Sequence, residues 1–200
     1  MKTNQEYKNL ALKDLEGNWT KAVIAAVIVF GIGGGVGTIF DYTIFQGSSL
    51  IWSLLSLPLS WGYTVFFLRL IRFEDTSLGH LFDGYKDFVR IILTMLLLII
   101  VTAIGFMLLI IPGIILSLGL CMTSYILKDD EQIGAVDALK KSWSMMKDHK
   151  AEMFWLGLSF IGWMILSMFT LGIGFLFLAP YMYTTFAHFY EDLKAEEEVI

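Results

Sequence analysis

The chain carries three histidines, His80, His149 and His188, a single cysteine, Cys121, and a run of closely spaced glycines beginning at Gly31. Each type has a characteristic chemistry. Two histidines four residues apart on a helix hold zinc, a thiolate is a nucleophile, and a glycine loop ending in Lys and Ser or Thr cradles phosphate. The spacings here supply none of these. The histidines fall in separate polar stretches, with no helical ligand spacing between any two and no cysteine beside them. Cys121 sits alone within an apolar run, which reads as a small buried hydrophobe and permits no intrachain disulfide. Gly31, Gly33, Gly34, Gly35 and Gly37 lack the following Lys and Ser or Thr of a nucleotide loop. There is no Gly-x-Ser-x-Gly elbow, and Ser53, Ser117, Ser159 and Ser167 occupy apolar stretches, where hydroxyls bond back to the helix. No catalytic residue, metal ligand or cofactor is assigned, and ligand-binding residues are left open.

The positions singled out are structural. Gly31 and Gly35 have the GxxxG spacing that lets helices pack closely, with a kink or irregular segment as the second reading. Pro58 is expected to kink a helix, because its nitrogen cannot donate to the preceding turn. Pro112, Gly113, Gly172, Gly174 and Pro180 are expected to reverse or bend the chain.

The elements that place these residues follow from the charges. All fourteen Lys and Arg lie in four polar stretches: Lys2 to Lys21, Arg69 to Arg90, Lys128 to Lys150, and Lys194. Between them run apolar segments whose turns carry no positive charge, in a chain that is 56% apolar. Loops on the cytoplasmic side of a membrane collect Lys and Arg, and loops that cross avoid them. Asp41 is the one charge expected on the opposite side, as a solvated loop acid. The net charge of −5 is therefore no guide to partners, and no basic patch points to nucleic acid.

A helix needs about 20 apolar residues to cross roughly 30 Å of hydrocarbon. Six spans are expected, near 22–40, 50–68, 91–110, 113–127, 153–170 and 174–188. The uncharged run Ile91 to Leu127 would make a single helix about 55 Å long, so it is split at Pro112-Gly113. The run Met153 to Ala187 is split at Gly172-Ile173-Gly174. The strictly apolar part of span 113–127 is short, and a re-entrant hairpin is its alternative. The residues before Lys21 mix acids and lysines without the pattern of a cleaved signal, so the first apolar run is read as an uncleaved anchor.

Each large polar stretch also holds a short amphipathic helix, about 4–18, 77–89 and 131–147. Their apolar stripes are Tyr7, Leu10, Ala11, Leu15 and Trp19; then Leu78, Leu81, Phe82, Tyr85 and Val89; then Ile133, Val136, Leu139, Trp143 and Met146. Thr3 and Glu6 have capping-box spacing. The helices either cap the bundle, the preferred reading, or lie on the inner membrane surface. The fold class is all-α: a polytopic membrane protein with six transmembrane helices as three hairpins, in one membrane domain. Whether the three hairpins are a true repeat stays open. The acidic tail Glu191 to Glu198 reads as a solvated helix end.

An ordered set of short motifs supports this layout: Leu15-Glu16-Gly17-Asn18-Trp19, Ile111-Pro112-Gly113-Ile114-Ile115, Tyr125 to Asp130, Ala138-Leu139-Lys140-Lys141-Ser142, Phe160-Ile161-Gly162-Trp163, Thr170 to Gly174, Ala179-Pro180-Tyr181 and Phe189-Tyr190. It resembles the bacterial integral-membrane family termed domain of unknown function 975. That family is in turn similar to the membrane modules of some glycerophosphodiester phosphodiesterases, whose catalytic domain is not present here. The resemblance implies a multi-pass protein of the bacterial cytoplasmic membrane, and it brings no catalytic residues.

The functional expectation is a non-enzymatic scaffold, regulator or protective partner. Its contacts would be the lipid bilayer and a membrane protein or a second copy of itself. The alternative is a transporter or facilitator of a lipid or other apolar molecule. A polar cavity or lateral cleft favours the second reading, and a solidly packed interior the first. Both termini are expected on the cytoplasmic side.

Overall fold

Thr3 and Glu6 form the capping box that their spacing predicts: the Thr3 hydroxyl accepts from the Glu6 N–H, and the Glu6 carboxylate accepts from the Thr3 N–H. From this start the computed structural model describes residues 1–36 and 48–197. Asp41, Tyr42, Gly37 and the turn at Gln46-Gly47 lie outside the described residues.

Eleven α-helices, one π-helical segment and one 3-10 segment follow in order, and no strand occurs among the described residues. They are α1 (Asn4–Leu15), α2 (Trp19–Phe30), the π segment (Gly31–Gly35), α3 (Ser48–Leu55) and α4 (Leu57–Ile71). The 3-10 segment (Leu78–Tyr85) precedes α5 (Phe88–Leu108), α6 (Ile110–Leu120), α7 (Thr123–Asp129) and α8 (Ala135–Met145). The chain closes with α9 (Lys150–Leu158), α10 (Ile161–Phe169) and α11 (Phe175–Glu197).

Four helical stretches are long and apolar enough to cross a membrane: α3 with α4 (Ser48–Ile71), α5, α6 with α7 (Ile110–Asp129), and α9 with α10 (Lys150–Phe169). The bent pair α1 and α2, at 96°, makes a fifth if counted as one broken span. Six were expected. The two that do not pass alone are α2, whose apolar run continues beyond the described residues, and α11, whose second half carries Glu191, Asp192 and Lys194. The stretch near 113–127 gains the length it lacked in sequence, because α6 starts at Ile110 and α7 extends to Asp129.

The core is organised around α4. Leu59, Trp61, Val65, Phe66, Phe67 and Leu68 are all buried, so this helix is covered round most of its circumference, with Ser60 and Thr64 on its open face. It packs against α2, α5, α7, α11 and the 3-10 segment. Pro58 is the second residue of α4, and the break falls just before it, at Ser56. Proline there lacks only an N–H that a first helical turn leaves unpaired.

The second amphipathic element differs from expectation. It is a 3-10 segment over Leu78–Tyr85, laid along α4. Three residues per turn place Leu78, Leu81 and Gly84 on one face, and these meet α4, while Phe82, Tyr85 and Val89 are exposed. Two glycines make the approach possible. A Cβ on Gly62 would lie 2.0 Å from the Leu81 carbonyl oxygen, and one on Gly84 would lie 2.5 Å from that of Pro58. In α8 the buried face is Ala138, Leu139, Ser142 and Met145, and the expected Val136 and Trp143 are exposed. The α1 face behaves as expected at Tyr7, Ala11 and Leu15, which are buried against α11 and α4. These elements therefore pack their buried faces against other helices of the protein.

The reversal between α5 and α6 falls at Leu109, in extended conformation, three residues before Pro112. Pro112 lies in the first turn of α6. Gly113 closes the hairpin instead: its N–H donates to the Leu109 carbonyl, and a Cβ there would strike the Phe106 ring at 2.4 Å. The reversal between α10 and α11 comes where expected. Leu171 (φ 53°) and Gly172 (φ 87°) are both left-handed, a conformation that costs glycine little. Gly174 then presses on Ser167 of α10, where a Cβ would come within 2.8 Å of the Ser167 Cα. Pro180 is buried inside α11, and the Thr184 hydroxyl donates to its carbonyl.

The acidic tail is not a solvated end among the described residues. It is the last part of α11, and Glu191, Asp192 and Glu196 are paired.

Candidate functional site

Arg72 caps α4 and reaches two carboxylates at once. Its Nη1 and Nη2 donate to Asp129 at 2.6 and 2.8 Å, and its Nε and Nη2 donate to Glu191 at 2.8 and 2.6 Å. This planar, bidentate geometry is what a guanidinium supplies and an ammonium does not. The bonds to Asp129 raise the proton affinity of Arg72 further, against the opposing effect of burial. Asp129 also accepts from the Tyr190 hydroxyl at 3.0 Å and from Lys194 at 2.7 Å. The ends of α4, α7 and α11 are thus tied in one network.

A second set of contacts adds α1 and α9. The Tyr7 hydroxyl donates to Asp192 at 2.8 Å, and Lys2 pairs with the same carboxylate. The N-terminal amine and His149 both meet Glu196, at 3.3 and 3.1 Å. His188 meets Asp14 at 2.7 Å, and Lys8 donates to the Ser159 carbonyl at 2.9 Å with its ammonium over the Phe160 ring. The three histidines are not brought together; each pairs with acids in a different part of the chain.

Beside this network lies a polar cavity of about 350 Å³ between α4, the 3-10 segment, the start of α5 and the end of α7. Trp61, Arg69, Asp87, Arg90, Lys128 and Glu131 are among its lining residues. Asp83 is its most heavily paired acid. It meets Arg69 at 3.0 Å, His80 at 2.7 Å and Lys86 at 2.7 Å. Burial alone would raise the Asp83 carboxyl, but the bonds from Lys86 and His80 and the Arg69 charge hold it below its ordinary value. Arg90 pairs with Asp87 and spends its other donors on the carbonyls of Leu127 and Asp130. The Nε of Arg69 is buried without an acceptor among the described residues.

An apolar groove of about 360 Å³ opens on another side, between α10, α11 and the corner where α1 meets α2. Leu12, Trp19, Trp163, Leu166, Phe177 and Tyr181 line it. The hydroxyls of Ser167 and Thr170 at its wall donate to helix carbonyls, so the groove offers a guest almost no hydrogen bonding.

The structural residues chosen from sequence do not form one site. Gly113, Gly172 and Gly174 serve two separate reversals, Pro58 supports the 3-10 segment, and Pro180 lies within α11. The packing role first read for Gly31 is not found among the described residues, where a Cβ at that position would meet nothing within 4 Å. Gly31 and Gly35 bound the π segment, so the irregular-segment reading describes them. Cys121 is half-buried against the core and its thiol donates to the Leu118 carbonyl. Sequence reasoning missed the Arg72 network and the cavity. Asp129 and Tyr190 already stood in the motif set, but nothing in their spacing pairs them with Arg72.

Comparison with curated proteins and with solved structures finds no match. A family model does match, over residues 93–197, a stretch that holds α6 to α11 and omits the Leu15 to Trp19 motif. That match by itself relates the chain to no glycerophosphodiester phosphodiesterase module. From the α5–α6 hairpin to the paired end of α11, the chain belongs to the family described as protein of unknown function DUF975.

Proposed function

We propose that this chain is an integral protein of the bacterial cytoplasmic membrane that acts as a non-enzymatic partner: a scaffold, regulator or protective protein. The observation that carries this reading is the paired polar end. Arg72, Asp129, Glu191, Asp192 and Glu196 tie α1, α4, α7, α9 and α11 into one arrangement. The apolar helices that leave this end are turned outward. Only 22% of the apolar stretch is buried in α5, and the same share in α9 with α10. Such faces suit lipid or another membrane protein. Six crossings remain the proposed topology, with α2 and α11 added to the four long apolar stretches and every Lys and Arg on the inner side. The test is affinity purification from native membranes. A defined protein partner that is lost on Arg72→Ala, with the variant still inserted, supports the reading; recovery of the chain alone counts against it.

A second reading, a facilitator of a lipid or other apolar molecule, is favoured by the lateral groove at Trp163 and Phe177. Reconstitution in vesicles holding a fluorescent lipid tests it. Accelerated transfer between leaflets that Leu166→Trp blocks supports it, and a rate equal to protein-free vesicles removes it.

A further inference from the structure

The polar cavity beside α4 has more charge than it uses. Asp83 is satisfied by Arg69, Lys86 and His80, and Asp87 by Arg90. Arg90 is satisfied in turn by the carbonyls of Leu127 and Asp130. What remains is Lys128, Glu131 and the buried Nε of Arg69. Among the described residues, neither Lys128 nor Glu131 has an ion pair or side-chain hydrogen bond, and they are not paired with each other although three positions apart. A buried guanidinium N–H without an acceptor is costly and calls for an explanation. An unused cation, an unused anion and an under-satisfied arginine around one cavity match a ligand carrying both charges.

The rim identifies the source. Phe82, Tyr85 and Phe88 form a ladder of rings, with successive centroids 6.2 Å apart. In sequence they alternate with Asp83, Lys86, Asp87 and Arg90, which line the cavity. The same short segment therefore presents aromatic rings along one edge and charges along the other. Val89 and Leu93 continue the apolar edge along the exposed side of α5. A Tyr ring beside charged groups, here Tyr85 between the two Phe rings, is typical of the level of lipid headgroups.

We propose that this cavity binds a zwitterionic phospholipid headgroup of the aminoethyl phosphate class. The phosphate oxygens accept from Arg69 and Lys128, and the primary ammonium pairs with Glu131. The acyl chains lie against Val89 and Leu93. The proposal rests on the membrane location of the chain and is independent of whether it acts as a partner or a facilitator.

The test uses the full chain purified in detergent and native mass spectrometry of retained lipid. The probes are phosphatidylethanolamine, phosphatidylglycerol, phosphatidylcholine and soluble phosphoethanolamine. Phosphatidylethanolamine is expected to be retained about ten-fold better than the other two lipids. Lys128→Ala lowers retention of every phospholipid. Glu131→Gln removes the preference for the primary amine while leaving phosphate binding in place. Lys128 and Glu131 are solvent-accessible and unpaired, so unchanged thermal unfolding of both variants checks that folding is intact. Equal retention of all three lipids, or variants that retain lipid as the parent does, overturns the proposal. Binding of soluble phosphoethanolamine without retained lipid overturns the assignment to a bilayer lipid.

Discussion

Arg72 holds Asp129 and Glu191, which lie 57 and 119 positions away in the chain. Its side chain is 22% exposed, so the pairs are neither free in water nor fully desolvated. Arg72→Ala is expected to destabilise the protein by ~1–3 kcal/mol, between the values for exposed and buried pairs. Arg72→Lys keeps the charge but cannot reproduce the two-pronged geometry, and should recover only part of the loss in a thermal unfolding series. Asp83 gives a pH dependence. Its folded pKa is depressed, so its stabilising contribution is complete above the ordinary carboxylate range and is lost as pH falls through the depressed value. Hydrogen exchange at residues 78–85 should therefore accelerate on acidification below that range, and Asp83→Asn should flatten the response. That these acids lie with the bases was legible in sequence. Which base each one meets was not, because periodicity describes neighbours three or four positions apart and these pairs are made by the fold.

The 3-10 segment shows how an apolar stripe that is right at Leu78 and Leu81 alone yields the wrong element. Leu78 and Leu81 fit a helical period, and three-residue spacing serves a 3-10 turn as well as an α-helix. Gly62 and Gly84 decide the matter, since only there can the two backbones come so close. Gly62→Ala would push a methyl group against a carbonyl oxygen that cannot turn away. It is expected to cost about 1–3 kcal/mol or more and to expose residues 78–85 to exchange before the rest of α4. Gly31→Ala, where a Cβ meets nothing among the described residues, should be close to neutral or mildly stabilising in the same assay. The capping box was fully legible, because it depends on four consecutive residues, and Thr3→Ala should cost about 1 kcal/mol of α1 stability. The break near Pro112 was displaced by three residues. Proline fits the first turn of a helix as well as the end of one, so its presence marks a boundary without saying on which side the chain bends.

At the scale of the molecule, the alternation of charged and apolar stretches leads to an all-helical membrane protein, and the structure has four helical stretches long and apolar enough to cross a membrane. The other two proposed crossings depend on α2 and α11, whose lengths are set by bends and by polar residues that a count of apolar positions does not weigh. Reporter fusions test the whole arrangement. Tags at Gly113 and Gly172 should report the outer side and tags at His80 and Asp148 the inner side. An inner-side signal at Gly172, with Asp148 also inside, would remove the crossing assigned to α9 with α10.

The contact between Tyr7 and Asp192 joins the first helix to a helix that follows all the others. A ribosome completes α1 long before the surface that receives it exists. During synthesis the buried face of Tyr7, Ala11 and Leu15 must stay uncovered, held by lipid or by a chaperone, until α11 arrives. An early helix thus waits for a late one, and a chain truncated before α11 would leave α1 without its seat.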